Sequence, residues 1–163
     1  MEKINWCLHV ENGIELVEPN ENLSKVYLKK SEDALKAANS LKGNKEWEIS
    51  SCYYAMYFAL YAIMIRMGIK CEIHACTIEF MKVFLIDYFS SEEISLLKKS
   101  MDSRIDAQYY SDRPIADRQY ETMIQKAPSF FAKCKAIVLK LKEQDIRNIR
   151  IKVNDVKIKN SKN

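Results

Sequence analysis

The chain has 163 residues, a formal net charge of +4, 48% hydrophobic residues, and only three glycines and three prolines. That length can bury a core without disulfides or metal, and so few turn-formers exclude an all-β fold, which needs many tight turns. The composition points to an all-α fold of a few long helices with short connections.

In chain order, the first 21 residues form an N-terminal extension. Asn12-Gly13 is a turn signal, flanked either by two short strands or by a short helix that ends there. Asn20 or Asn22 caps a helix running to about Lys42, with Tyr27, Ala34, Leu35, Ala38 and Leu41 on one face. Gly43-Asn44 stops it. From Ile49 to Ile65 no residue is charged, so that helix is central in a core or in a membrane. Its length is at the lower limit for spanning, and the hydroxyls of Ser50, Ser51, Tyr53, Tyr54, Tyr57 and Tyr61 need partners that lipid lacks. The core reading is adopted, with no membrane association.

Ile73, Cys76, Thr77, Phe80, Met81, Phe84, Leu85 and Tyr88 mark a one-sided amphipathic helix. Ser90-x-x-Glu93 is a capping box for the next, whose stripe is Ile94, Leu97, Met101 and Ile105. A loop follows near residues 109–114. A long last helix carries Tyr120, Met123, Ile124, Ala127, Phe130, Phe131, Cys134, Ile137, Val138 and Leu141. Pro128 lies inside it and is expected to kink or split it. The bundle is thus placed at residues 22–143.

Residues 144–163 form a basic tail. From Asp145 onward it holds six basic and two acidic residues, so six minus two accounts for the whole +4 excess. Ile149, Ile151 and Val153 alternate with Arg150 and Lys152, and Val156 and Ile158 with Lys157 and Lys159. Period two about Asn154-Asp155 reads as a β-hairpin, with disorder as the competing reading. The tail either touches phosphate backbones or is a solvated extension.

The five cysteines are odd in number and follow no apolar leader, so free thiols in a reducing cytoplasm are expected. Cys71 and Cys76 lack the second pair of a zinc site, and no metal or cofactor is expected. No phosphate loop, dinucleotide fingerprint or nucleophile elbow is present. His9 and His74 are the only histidines. His74 near a helix start is favoured neutral; it is either a general base or a group satisfying a local hydrogen bond.

Arg104 lies three after Met101 and seven after Leu97, on the apolar stripe of its helix. A guanidinium there needs a carboxylate, an anion or a subunit interface. Around it Asp106, Tyr109, Tyr110, Asp112 and Arg113 gather charge and phenols. Arg104 and Arg113 with Tyr109 and Tyr110 could hold a phosphate and stack a base; the alternative is an ion pair that fixes the loop. The Tyr53, Tyr54, Tyr57, Tyr61 run is core by default.

At these residues the chain resembles the HEPN superfamily of helical nucleotide-associated domains. The resemblance rests on Ser51-x-Tyr53-Tyr54-Ala55-Met56-Tyr57-x-Ala59, Gly68, Ile73-His74 and Arg104-x-x-Ala107-x-Tyr109, and covers residues 22–141. It implies an up-and-down helical bundle, here of about five helices, a homodimer, binding of nucleotide or RNA, and pairing with a small nucleotidyltransferase in a toxin–antitoxin-like module. Such a partner can attach AMP to a tyrosine, here Tyr110 or Tyr109. Ribonuclease members use an Arg and a His with four to six residues between them. The three positions after Arg104 where that His would fall are Tyr109, Tyr110 and Ser111. A phenol is a poor base near neutral pH, so the resemblance leans toward binding rather than catalysis. The candidates for any catalysis are Arg104, His74, Tyr109 and Tyr110. A ribonuclease with non-standard residues, in which His74 is brought to Arg104, and a structural adaptor are the alternatives.

Overall fold

A computed structural model describes residues 2–110 and 112–160. Ser111, in the Arg104 motif, and Lys162, in the basic tail, lie outside the described residues. The described chain holds seven helices and a two-stranded sheet: α1 (Glu2–His9), β1 (Glu15–Leu16), α2 (Glu21–Ser40), α3 (Lys45–Arg66), β2 (Ile69–Lys70), α4 (His74–Phe84), α5 (Ser91–Tyr109), α6 (Asp117–Lys140) and α7 (Glu143–Asn160). The helical class is as expected; the count is seven rather than about five.

The signals that hold are local and strong. Asn20 caps α2, its side chain accepting from the Leu23 amide at 2.8 Å. Gly43 beyond its end takes φ of 92°, which a residue without Cβ adopts at no steric cost. Ser90 and Glu93 form both halves of the capping box on α5. α3 is the buried axis, packed against α2, α5 and α6, and fifteen of its residues are buried. Among the described residues no helix is long and apolar enough to cross a membrane.

Two expectations are corrected and two are narrowed to one of their alternatives. The tail is not a hairpin but helix α7. Ile146, Ile149 and Val153 are buried and Val156 packs beside them; their spacing of three, four and three is one helical face, which the local alternation of Ile149, Ile151 and Val153 obscured. The N-terminal segment resolves into a helix and a strand, with β1 pairing antiparallel to β2 rather than across Asn12-Gly13. Cys7 and Cys76 are joined in a disulfide with Cα atoms 5.4 Å apart, so the expectation of free thiols fails for them. Cys52, Cys71 and Cys134 are free and buried. Finally, α6 runs through Pro128 without splitting. Ala127 and Phe130 on either side are buried, and α6 packs on α3 despite the missing N–H.

α1, α4 and α7 close on each other as a second group, and α4 also meets α5. This group is pinned at Gly68. The Gly68 φ is 71°, and a Cβ there would strike the Val17 carbonyl and the Arg150 guanidinium. The segment between α3 and α4 is therefore held tightly just before it delivers His74.

Candidate functional site

α3 presents Tyr53, Tyr54 and Tyr57 on adjacent turns. α4 begins at His74, and α5 carries Arg104 in its last two turns. Packing brings all five together. The Arg104 guanidinium donates through Nη2 to the Tyr54 hydroxyl. Its Cζ lies 5.2 Å from the Tyr54 ring centroid and 5.9 Å from that of Tyr53. The Tyr53 hydroxyl lies 2.7 Å from His74 Nδ1. The imidazole stacks on Tyr57, with centroids 4.0 Å apart and planes within 13°. It meets the Tyr54 ring edge-on at 6.2 Å. Arg104 and His74, 30 positions apart in the chain, thus share Tyr53 and Tyr54 as neighbours.

Three supports fix His74. The Cys7–Cys76 disulfide ties the first turn of α4 to α1. The β1–β2 pair fixes the approach. The Cys71 amide donates to the Tyr61 hydroxyl at 3.3 Å. Tyr57 and Tyr61 are buried and stack at 5.9 Å, extending the aromatic bed beneath the site.

The electrostatics are those of a donor cluster. Arg104 has no carboxylate partner among the described residues, and its Nε is buried without a hydrogen-bond partner. A half-buried cation whose charge is answered only by a phenol and two ring faces is incompletely satisfied. Burial, reinforced by the Arg104 charge, lowers the His74 pKa and keeps the imidazole neutral. Burial pushes the Tyr53 hydroxyl far above the ordinary tyrosine range, so it stays protonated. Tyr53 is fully buried, and His74 Nδ1 is the acceptor within its reach. Its O–H therefore donates to Nδ1, and the neutral imidazole carries its proton on Nε2. The Arg104 N–H groups, the Tyr54 O–H and the His74 Nε2–H are then all donors. Such a set suits an anion, and the guanidinium suits phosphate in particular.

The other sequence candidates lie elsewhere. Arg113 pairs with Asp106 at 3.2 Å and sits 3.7 Å over the Tyr110 ring. These contacts tie the loop to the last turn of α5, as the ion-pair alternative describes. Tyr109 is exposed at the end of α5. Among the described residues none of the three shares a hydrogen bond, ion pair or ring contact with Arg104. Tyr53 and Tyr57 are buried in the core, as read from the sequence, and Tyr54 packs partly buried against it; what sequence reasoning missed is their contact with Arg104 and His74, for which the Tyr-Tyr pair inside the motif was the signal. Arg150, in the basic tail, faces inward and donates through Nη1 to the carbonyls of Val17, Met67 and Gly68 at 2.7, 3.2 and 2.8 Å. Among the described residues no group of His, Cys, Asp and Glu is placed to hold a metal ion.

The fold and this cluster define a helical domain with a basic, phenol-lined cluster of hydrogen-bond donors. The HEPN domain model matches residues 24–137 of the chain, well over half its length, and the protein belongs to that family. The family carries a nucleotide- or RNA-related function in the broad sense, and its domains commonly form dimers. No curated protein matches the chain.

Proposed function

We propose that this protein is a dimeric HEPN subunit that binds nucleotide or RNA through a phosphate group held by Arg104, Tyr54 and His74. A nucleotidyltransferase partner in a toxin–antitoxin-like module is the setting that the resemblance favours. The observation that carries the binding reading is the Arg104 guanidinium, drawn half out of water with a buried, unpartnered Nε–H and no carboxylate. A phosphate would supply the missing charge and acceptors together. The test is titration of ATP and a short single-stranded RNA into wild type and Arg104→Ala. Arg104→Ala is expected to bind at least tenfold more weakly, the scale of one charge-assisted hydrogen bond. Equal affinity of the two proteins removes the site.

One observation favours a second reading, metal-independent RNA cleavage: His74 reaches the neighbourhood of Arg104 through Tyr53 and Tyr54. In that reaction a base removes the proton of a 2′-hydroxyl, its oxygen bonds to phosphorus, and the bond to the 5′-oxygen breaks. The products are a cyclic 2′,3′-phosphate and a 5′-hydroxyl that receives a proton. Arg104 would stabilise the charge on the phosphorane. His74 can serve as the base only if its proton moves from Nε2 to Nδ1 and the Tyr53 bond reverses. Binding is therefore placed first. Incubation with tRNA in EDTA at high protein concentration separates the two: cleavage lost in both His74→Ala and Arg104→Ala supports the second reading, and intact RNA removes it.

A further inference from the structure

We infer that the slot between the start of α3 and the end of α5 is a nucleobase subsite, one that favours guanine. The inference rests on the phosphate reading of Arg104 and names what lies next to that phosphate.

The slot is a cavity of about 300 Å³ lined by Glu46, Trp47, Ser50, Ala107, Gln108 and Tyr109. Its place along the two helices is fixed by sequence. Ser50 precedes Tyr54 by one turn on α3, and Gln108 follows Arg104 by one turn on α5. A turn rises about 5.4 Å, so slot and guanidinium are neighbours on the same two helices, within the reach of a single nucleotide.

The walls are aromatic and open. Trp47 is 57% exposed and Tyr109 is 69% exposed. Among the described residues neither ring stacks on another side chain, although ten other phenylalanines and tyrosines engage in ring–ring contacts. Indole and phenol faces left bare beside a cavity are stacking surfaces for a base.

The floor is polar and only partly used. The Gln108 amide nitrogen donates to Ser50 Oγ at 3.2 Å, and Ser50 donates to the Glu46 carbonyl at 3.0 Å. This chain braces the floor and leaves the Gln108 carbonyl oxygen free. The Glu46 carboxylate, in no ion pair among the described residues, stands at the rim of the same slot. Two of the lining residues thus carry an uncommitted acceptor, one of them charged. Guanine carries adjacent ring N–H and amino donors on one edge, which match a carboxylate fork. Uracil offers a single ring donor, and adenine has an acceptor where guanine has its ring N–H.

The experiment is calorimetric titration of the intact protein with GMP, AMP, CMP, UMP and inorganic phosphate. It is repeated with Trp47→Ala, Glu46→Gln and Arg104→Ala, each checked for fold by circular dichroism and for oligomeric state by sedimentation. Wild type is expected to bind GMP about tenfold more tightly than UMP or phosphate, on the scale of one base stacked on an aromatic ring. Trp47→Ala should lose that margin and keep its phosphate affinity. Glu46→Gln should bring GMP and AMP level. Wild type that binds all four nucleotides alike, through Arg104, overturns the slot and leaves the phosphate site standing. Binding that ignores Arg104→Ala overturns the phosphate site itself. A Trp47→Ala protein that changes oligomeric state with its GMP preference intact also overturns the slot, and makes the bare indole a subunit contact.

Discussion

Arg104 and Arg150 are both guanidinium groups partly withdrawn from solvent, and they end in opposite situations. Arg150 gathers three backbone carbonyls where α3 ends and the β1 strand departs. Those carbonyls include orphans of a helix C-terminus, where positive charge is favoured. Arg104 meets one phenol oxygen and two ring faces, and keeps a buried N–H without an acceptor. The first arginine completes the fold; the second leaves an open demand for an anion. Burial of a cation alone therefore says little about function. Its unmet hydrogen bonds and the chemistry of its neighbours say more.

The largest expected effect bears on the region that both arginines depend on. The disulfide between Cys7 and Cys76 closes 69 residues, and a loop of that length is worth about 4 kcal/mol in chain entropy. Cys7→Ser with Cys76→Ser should lower unfolding stability by that order in a denaturant titration. An unchanged midpoint would mean that α1 and α4 hold His74 by packing alone.

The direct contrast comes next. Arg150→Ala should cost about 3 kcal/mol by stranding carbonyls that now accept from a charged donor, with phosphate affinity unchanged. Arg104→Ala should change stability by less than about 1 kcal/mol, because the lost Tyr54 bond is offset by relief from holding a half-buried cation. Parallel urea melts of the two variants check this. Equal destabilisation would erase the distinction between clamp and site.

The smallest effect is in pH. The folded His74 pKa lies below the ordinary histidine value of about 6.5. The unfolded chain therefore takes up a proton at a pH where the fold still resists it. Stability is expected to be insensitive to this group above that value, and to fall as pH drops from about 6.5 through the lowered folded value. His74→Gln should flatten that limb. Phosphate binding should strengthen over the same descent, since the protonated imidazole adds positive charge to the site.

Much of the bundle was legible because its signals are local. Asn20, Gly43, the Ser90–Glu93 box and the uncharged stretch of α3 each act within a few residues. α7 was misread because Ile149, Ile151 and Val153 alternate over five residues while the helical face needs Ile146 and Val156 to be seen. The Cys7–Cys76 pairing is a tertiary fact, since spacing does not determine connectivity. The site divides in the same way. Arg104 announces itself by standing on an apolar stripe. That His74 joins it depends on how α4 crosses α3, and nothing within either helix encodes that. Arg113 and Tyr110 are close to Arg104 in sequence, but α5 ends between them and the guanidinium, and Arg113 meets Tyr110 and Asp106 instead, which spacing alone did not show.

The most direct measurement is the side-chain Nε–H resonance of each arginine in nitrogen-15 labelled protein, assigned with Arg104→Lys and Arg150→Lys and followed during addition of GMP. The Arg104 signal should move progressively to a saturated, hydrogen-bonded position while the Arg150 signal stays in place. If Arg104 is unmoved at saturating nucleotide, or both signals shift alike, the unpartnered N–H is not the phosphate-binding group, and the central assignment falls.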